Sequence, residues 1–138
     1  MNVQDFAIVA LTLPDGRLAL QRRTQDAPHA PGKLGLFGGW VEDGETPDEC
    51  IKREVEEETS LKVSNLAFVA AGQFTLPASS AFPKDRRYFL YKAAIENADF
   101  DVYEGDGAEI YTLEEAKQRD DLTPSNEYAI REMIHTLP

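Results

Sequence analysis

Basic residues are scarce in this chain of 138 residues. Lysine and arginine together number 14, against 25 aspartates and glutamates, and the formal net charge is −11. Proteins that bind duplex nucleic acid contact its phosphates with clusters of basic side chains. The sequence contains no such cluster and therefore argues against a duplex-binding protein. A small phosphate ligand is still compatible with acidic residues, because a divalent metal can bridge the two.

Cysteine and long apolar segments are equally scarce. Cys50 is the single cysteine, which excludes an intrachain disulfide and is consistent with a reducing compartment. No apolar run approaches the roughly 18 residues that a membrane-spanning helix needs. The first residues lack the basic start and the apolar stretch of a signal peptide. We therefore expect a cytoplasmic protein, and its length suits a single domain over residues 1–138.

Apolar periodicity predicts strands interleaved with a few helices. This order is typical of an α/β fold with a mixed β-sheet between helices. Segment 24–35, which contains two prolines and two glycines, is predicted to be a loop. The predicted strands are 6–13, 17–23, the start of 36–45, 66–76, 87–95 and about 108–112, and the predicted helices are 46–59, 113–120 and 123–137.

The first predicted helix has clear start signals and an unusual charge. Thr46 suits the N-cap, Pro47 suits the first helical position, and Glu49 completes a capping box, so the helix should run to about Thr59. Residues 42–58 contain nine acids against two basic residues. Acidity concentrated in one segment, rather than spread along the chain, suggests a cation site.

Helical geometry divides these acids into two groups. At about 100° per residue, Glu54, Glu57 and Glu58 share an arc of about 100° beside the buried stripe, and Glu56 falls on the far side. Like charges at helical spacing repel by about 0.2–0.5 kcal/mol per pair. A bound divalent cation would offset that repulsion. The alternative is a solvated acidic face that binds nothing.

The spacing of residues 39–61 is more specific than the acid cluster itself. It resembles the signature of the Nudix hydrolase family, whose members include MutT-like enzymes, at eight of nine defined positions. Ser60 is the departure, because the family has glycine there. That glycine usually ends the helix in a left-handed conformation, which would cost serine about 1 kcal/mol. The matching positions are Gly39, Glu45, Arg53, Glu54, Val55, Glu57, Glu58 and Leu61.

The resemblance implies a fold, an activity and roles for named residues. The implied fold is an α/β/α sandwich around a mixed sheet. Family members use Mg²⁺ or Mn²⁺ to cleave a pyrophosphate bond in nucleoside diphosphates that are linked to another group. Carried over by position, Glu54, Glu57, Glu58 and the Gly38 carbonyl would be metal ligands, and Glu45 and Arg53 would form a supporting pair.

The resemblance leaves the general base open. In some relatives the base is a glutamate of the signature, which here is Glu54. In others it comes from a downstream loop. The acidic, glycine-rich segment 103–110 offers Glu104 as the first candidate and Glu109 as the second.

Substrate contacts are predicted from the remaining cations and aromatics. Arg22 and Arg23 end a strand and must point to opposite faces, and we favour Arg23 as the one that contacts phosphate. Arg87 is a second cationic candidate, at the end of a proline-bounded loop. Phe74 and Trp40 are aromatic enough to stack on a base, although packing in the core is the more common use of such residues.

Three functions remain open on the sequence alone. The main one is a metal-dependent pyrophosphohydrolase of nucleoside diphosphate derivatives. The second is a nucleoside triphosphate pyrophosphohydrolase of the type that cleanses nucleotide pools. The third is a non-catalytic module that senses a nucleotide. In each case the partner is a small nucleotide, the 77–86 loop is expected to help select it, and the resemblance allows a homodimer.

Overall fold

Strands of both orientations form one sheet in this protein. The computed structural model describes residues 4–27, 30–75 and 85–133. Within them the sheet has seven strands. The strands are β1 (Gln4–Thr12), β2 (Leu18–Arg22), β3 (Leu34–Gly35), β4 (Phe37–Trp40), β5 (Ala67–Thr75), β6 (Asp85–Ala94) and β7 (Ala108–Tyr111). The helices are α1 (Pro47–Glu58), α2 (Leu113–Lys117) and α3 (Pro124–Tyr128), followed by a π-helical turn (Ala129–Met133).

The centre of the sheet is a fork between β1 and β2. The two strands pair antiparallel at Leu11↔Ala19 and Thr12↔Leu18. Beyond that point the chain from β3 to β4 lies between them, because β3 pairs with the end of β2 and β4 pairs with the start of β1. On its other edge β1 runs parallel to β6, and β6 pairs with β5. The fork places β4 in the middle of the sheet, directly under α1.

Side-chain alternation along β1 builds a core on each face of the sheet. Ala7, Val9 and Leu11 face α1 and pack in a cluster with its Ile51 and Val55. The intervening residues pack on the opposite face with α2 and the π-helical turn, and this second cluster includes Ile8, Ala10, Leu90, Ala116 and Ile130. The predicted mixed sheet between helices is therefore confirmed. No helix among the described residues is both long and apolar enough to cross a membrane.

The start of α1 follows the predicted chemistry. The Thr46 hydroxyl accepts a hydrogen bond from the Glu49 amide, and the Glu49 carboxylate accepts one from the Thr46 amide. Pro47 occupies the first turn, where its missing N–H leaves no bond unmade. The reciprocal capping box therefore sets where the helix begins, and with it the rotational phase of every acid that follows.

The end of α1 differs from the expectation at Ser60. In the described part of the chain Ala30 is the non-glycine residue with positive φ, so Ser60 is not left-handed and carries no such cost. Thr59 ends the helix instead, in an extended conformation, and both its amide and its hydroxyl donate to the Val55 carbonyl. Ser60 then pairs with Asp101, whose amide donates to the Ser60 hydroxyl over 2.9 Å. The serine at this position anchors a neighbouring loop.

Two further elements depart from the predictions. Leu34–Gly35 forms the short strand β3 inside the segment predicted to be loop, because the fork leaves the edge of β2 open there. The predicted helix 123–137 is α-helical over Pro124–Tyr128 and then widens into the π-helical turn. Residues 134–137 of that prediction lie outside the described residues.

The hydrogen bond between Ser60 and Asp101 predicts whether Ser60→Gly stabilises or destabilises the protein. Ser60→Gly restores the family residue, yet it should destabilise the protein by about 1 kcal/mol, because it removes a hydrogen bond and loosens an extended backbone. Urea unfolding measures this change. Ser64→Gly, the same substitution at an exposed serine of the same connection, is the control. A more stable Ser60→Gly protein would mean that Ser60 is strained after all.

Candidate active site

Two consecutive glycines in β4 let the acidic helix lie directly on the sheet. Gly38 has a φ of 153°, and a Cβ placed on it would lie 2.1 Å from the Ala7 carbonyl oxygen. A Cβ on Gly39 would lie 2.5 Å from the carboxylate carbon of Glu54. Any larger residue would push β4 away from β1 or displace the Glu54 carboxylate. The glycine pair therefore sets the distance between the sheet and the acids of α1.

Arg53 is the central residue of an ion-pair network on the exposed side of this contact. Its Nε donates to Glu45 Oε2 over 2.7 Å, and its Nη2 donates to Glu45 Oε1 over 3.0 Å. Nη2 also donates to the Trp40 carbonyl, 3.2 Å away. The guanidinium holds the pKa of Glu45 down at about 2. This bidentate pair ties α1 to the turn before it and to β4, in the supporting arrangement that the sequence predicted for Glu45 and Arg53.

The remaining donor of Arg53, Nη1, contacts two of the three carboxylates that are predicted metal ligands. Nη1 lies 2.7 Å from Glu54 Oε1 and 3.0 Å from Glu57 Oε2. Glu54 is largely buried, with 16% of its side chain exposed, and burial raises its pKa. Glu57 is more open, at 55% exposed. A single guanidinium nitrogen therefore neutralises part of the charge of both carboxylates.

Glu58 is the most buried acid of the site. It is 5% exposed, and the Gly38 amide donates to its Oε1 over 3.2 Å. Burial, with the nearby charges of Glu54 and Glu104, raises the pKa of Glu58 to about 9. Burial is the larger cause, and the repulsion between acids that the sequence suggested adds to it. Glu56 is exposed on the far side of α1, as the helical phase predicted.

The downstream loop brings one of its two predicted acids to the site. Glu104 lies beside Glu58, and the two border the same cleft. Glu109 points elsewhere, because both of its oxygens accept from Arg22, over 2.7 and 2.9 Å, and one also accepts from Tyr111. Arg22 lowers the pKa of Glu109, which is therefore the weaker base candidate of the two.

A cleft of about 230 Å³ opens beside Glu58 and Glu104. Arg23 also lines this cleft, whereas its neighbour Arg22 pairs with Glu109 and Asp121 and is not among the lining residues. This placement agrees with the preference for Arg23. The remaining residues that line the cleft are Gln21, Thr24, Asp26, Ala27 and Gly105.

The other predicted substrate contacts are less close. Arg87 pairs with Asp5 across the sheet over 2.8 Å, is 52% exposed, and does not border this cleft. Trp40 packs edge-on against Phe6 with ring centroids 4.5 Å apart, which is the core role weighed against base stacking. The side chain of Phe74 lies outside the described residues, as does most of the 77–86 loop.

The sequence analysis did not identify five residues of the cleft as site residues, and only some of them have a feature in the sequence that could have indicated this role. Gln21 is a buried amide in the otherwise apolar start of β2, and a polar residue at a core position is a usable indication of a specific partner. Gly105, with a φ of 85°, lies in the glycine-rich segment already noticed. Thr24, Asp26 and Ala27 belong to a polar loop whose path no local pattern predicts.

The donor chemistry of the acids fits a hard divalent cation. Glu54, Glu57, Glu58 and the Gly38 carbonyl offer oxygen ligands alone, the type that Mg²⁺ and Mn²⁺ prefer. Burial and the neighbouring acids suppress the ionisation of Glu58. A divalent cation beside it would favour the ionised carboxylate. Within the described ranges, no three acidic, histidine or cysteine side chains are placed so that they could hold one metal ion. Arg53 instead donates hydrogen bonds to both Glu54 and Glu57.

Comparisons with known proteins agree with this geometry. A family model of the NUDIX domain matches residues 1–133. The NAD-capped RNA hydrolase NUDT12 of Homo sapiens is 35% identical over 78 residues, which is 56% of this chain and 16% of NUDT12. The chain thus spans only a small part of the length of that relative.

Solved structures share the fold at low sequence identity. The MutT protein from Methanosarcina mazei Go1 superposes with a TM-score of 0.78 at 21% identity, over 94% of this chain and 91% of that one. The NUDIX domain of Shewanella oneidensis NrtR, solved in complex with ADP ribose, gives 0.76 at 15% identity, over 100% of this chain and 90% of that one.

The burial of Glu58 predicts an unusual stability effect. Glu58→Gln should raise the melting temperature of the metal-free protein, because glutamine can keep the bond from Gly38 and has no acid whose ionisation is suppressed by burial. The pKa of Glu58 lies above its ordinary value of 4.5, so its ionisation opposes folding increasingly as the pH rises from there toward about 9. The gain over the parent should therefore be small at pH 5 and larger at pH 8.

Thermal melts in EDTA at both pH values measure the effect. Glu57→Gln is the matched control, since it removes the same charge from the exposed carboxylate. It should change the melting temperature much less than Glu58→Gln at pH 8. Equal gains from both variants would show that the repulsion is shared along the helix and not concentrated on the buried acid.

Proposed function

The chain belongs to the NUDIX family, and from that premise we propose that it hydrolyses the diphosphate bond of a nucleoside diphosphate linked to another group, with Mg²⁺ or Mn²⁺ as cofactor. The observation that carries this proposal is the cleft that Glu58, Glu104 and Arg23 line together. Acids that can hold a cation and an arginine that can hold phosphate thus border one space. A diphosphate needs both kinds of contact at once.

The relatives support this substrate class. NUDT12 is named for NAD-capped RNA, in which a diphosphate joins two nucleosides, and the NUDIX domain of NrtR was solved with ADP ribose, in which a diphosphate joins adenosine to a second sugar. Both ligands are nucleoside diphosphates with a further group attached. Capped RNA therefore belongs among the substrates to be tested, next to free dinucleotides and nucleotide sugars.

The metal would be held by the oxygen donors of the acidic helix. We assign this role to Glu54, Glu57, Glu58 and the carbonyl of Gly38. A divalent cation held there would neutralise diphosphate charge and lower the pKa of the attacking water. For Glu54 and Glu57 to become ligands, Arg53 must share or release them, and its bidentate pair with Glu45 keeps the guanidinium in place meanwhile.

The residues of this chain divide the remaining work. Arg23 binds a phosphate oxygen and orients the diphosphate in the cleft. Glu104 accepts a proton from a water molecule while the oxygen of that water attacks one phosphorus of the diphosphate. The bond between that phosphorus and the bridging oxygen then breaks. The products are two phosphate monoesters. We favour Glu104 over Glu54 as the base, because Glu54 Oε1 already accepts from Arg53.

The first test is metal-dependent turnover with product analysis. The parent protein should release nucleoside monophosphate from dinucleotides, nucleotide sugars or capped RNA when Mg²⁺ or Mn²⁺ is present, and none in EDTA. Glu57→Gln should lower kcat by about a hundredfold or more, because a metal ligand is lost. Glu56→Gln removes a neighbouring charge on the far side of the same helix and should stay within a few-fold of the parent.

The outcomes separate the three functions. Pyrophosphate release from nucleoside triphosphates, with no cleavage of the linked diphosphates, would favour the pool-cleansing alternative. Tight nucleotide binding without hydrolysis would favour the sensing module. Equal losses in Glu56→Gln and Glu57→Gln would contradict the assigned helical phase.

Arg23 gives a prediction about binding. Arg23→Gln removes a charge-assisted contact to phosphate and should raise KM by about tenfold or more, with a smaller change in kcat. Arg17→Gln, in the turn where Arg17 pairs with the exposed Asp15, is the control and should leave both constants unchanged. Steady-state kinetics on the best substrate measure this. An unchanged KM in Arg23→Gln would exclude Arg23 from the phosphate site.

A further inference from the structure

Gln21 is a buried polar residue that follows three apolar residues of β2. It is 7% exposed and lies in β2 next to Leu20, which is fully buried. A buried amide is unfavourable unless it makes hydrogen bonds. Its Nε2 donates to the backbone carbonyl of Glu104, 2.8 Å away and 83 residues along the chain. The side-chain amide of Gln21 is therefore hydrogen-bonded to the backbone of Glu104, the loop acid that lies beside Glu58.

The loop that carries Glu104 crosses β2 in direct contact. The Asp106 amide donates to the Arg22 carbonyl over 2.8 Å, and the Arg22 amide donates to the Gly107 carbonyl over 3.0 Å. Gly105 comes directly before these bonds with a φ of 85°, and a Cβ placed on it would lie 2.5 Å from the Arg22 carbonyl oxygen. A residue with a side chain at 105 would lift the loop off the strand.

The other end of the same loop is attached to α1. The Tyr103 amide donates to the Glu58 carbonyl over 2.7 Å, and Val102 pairs with Thr59. Glu104 thus lies between two attachments, one to the end of the acidic helix and one to β2. The helix attachment contacts residues 102 and 103, whereas the Gln21 side chain binds Glu104 itself.

We infer that Gln21 is a positioning residue, which holds the backbone of Glu104 so that the carboxylate of Glu104 stays at the cleft beside Glu58. This inference rests on the proposed function, in which Glu104 takes a proton from the attacking water. Gln21 acts on the reaction through Glu104. Its loss should therefore lower kcat more than it raises KM, because Gln21 holds the backbone of the assigned base and the phosphate contact is assigned to Arg23.

A double-mutant cycle tests this dependence. Gln21→Met keeps the shape of the side chain and removes its donor, and it should lower kcat by about tenfold with KM nearly unchanged. In a Glu104→Gln background the same change should have almost no further effect on kcat, because the group being positioned is gone. Leu18→Val, a core substitution in the same strand, controls for lost stability and should leave kcat unchanged.

A second readout needs no turnover. In the metal-free protein, amide hydrogen exchange of Gln21→Met should be faster at Asp106 and its loop neighbours than in the parent, while amides of α1 keep their protection. Gly105→Ala should produce the same local change and the same non-additivity with Glu104→Gln. This variant also decides the question if Gln21→Met does not fold.

Each result bears on the inference. If Glu104→Gln lowers kcat while Gln21→Met and Gly105→Ala do not, Gln21 is not a positioning residue and the proposed function stands. The inference is equally wrong if the losses of Gln21→Met and Glu104→Gln add up independently, or if exchange rises across the whole protein. If the parent itself releases no monophosphate with any metal, the proposed function fails, and this inference fails with it.

Discussion

The Arg53 guanidinium is the interaction on which the site depends. It makes two bonds to Glu45, one to the Trp40 carbonyl, and one to each of Glu54 and Glu57. Lysine could not replace it, because a single ammonium lacks the planar fork that serves several acceptors in different directions. Without this cation, acids on adjacent turns of one helix would face each other at close range. The network thus permits the charge density that the chemistry needs.

One acid lies beyond the reach of that guanidinium. Glu58 lies one turn after Glu54, on the side of the helix that faces the sheet. There it accepts a hydrogen bond from the backbone amide of Gly38. The site therefore has an exposed part that is balanced by arginine and a buried part that is not. Burial first, and then the charges of Glu54 and Glu104, raise the pKa of Glu58 to about 9.

Local features of the sequence predicted the local features of the site. The capping box of α1, the phase of its acids and the pair Glu45–Arg53 all lie within one short segment, and helical periodicity alone relates them in space. Gly38 and Gly39 were visible as a pair, although their contact with β1 and Glu54 requires the sheet. All strands except β3 were also predicted, because apolar runs mark them and several of their turns contain glycine or proline.

Contacts between distant parts of the chain could not be predicted in the same way. Glu104 and Glu109 look alike in sequence, and only the partners that the fold gives them, Gln21 for one and Arg22 for the other, tell them apart. The position of the end of α1 was predicted correctly, but the conformational cost expected at Ser60 was wrong for a related reason. A rule about one residue, Ser60, was overridden by the hydroxyl of its neighbour Thr59 and by a loop about forty residues away in the chain.

The parallel pairing of β1 with β6 has a consequence for the order of assembly. It joins residues as far apart as Gln4 and Arg86, and β1 is central, so the sheet cannot close until most of the chain has been synthesised. Contacts of such large sequence separation form late and slowly. Glu45 and Arg53 are only eight residues apart and can pair in the nascent helix. The acidic helix can therefore be partly neutralised from within before Glu104 has been synthesised, and the cleft that Glu58 and Glu104 line can form only afterwards.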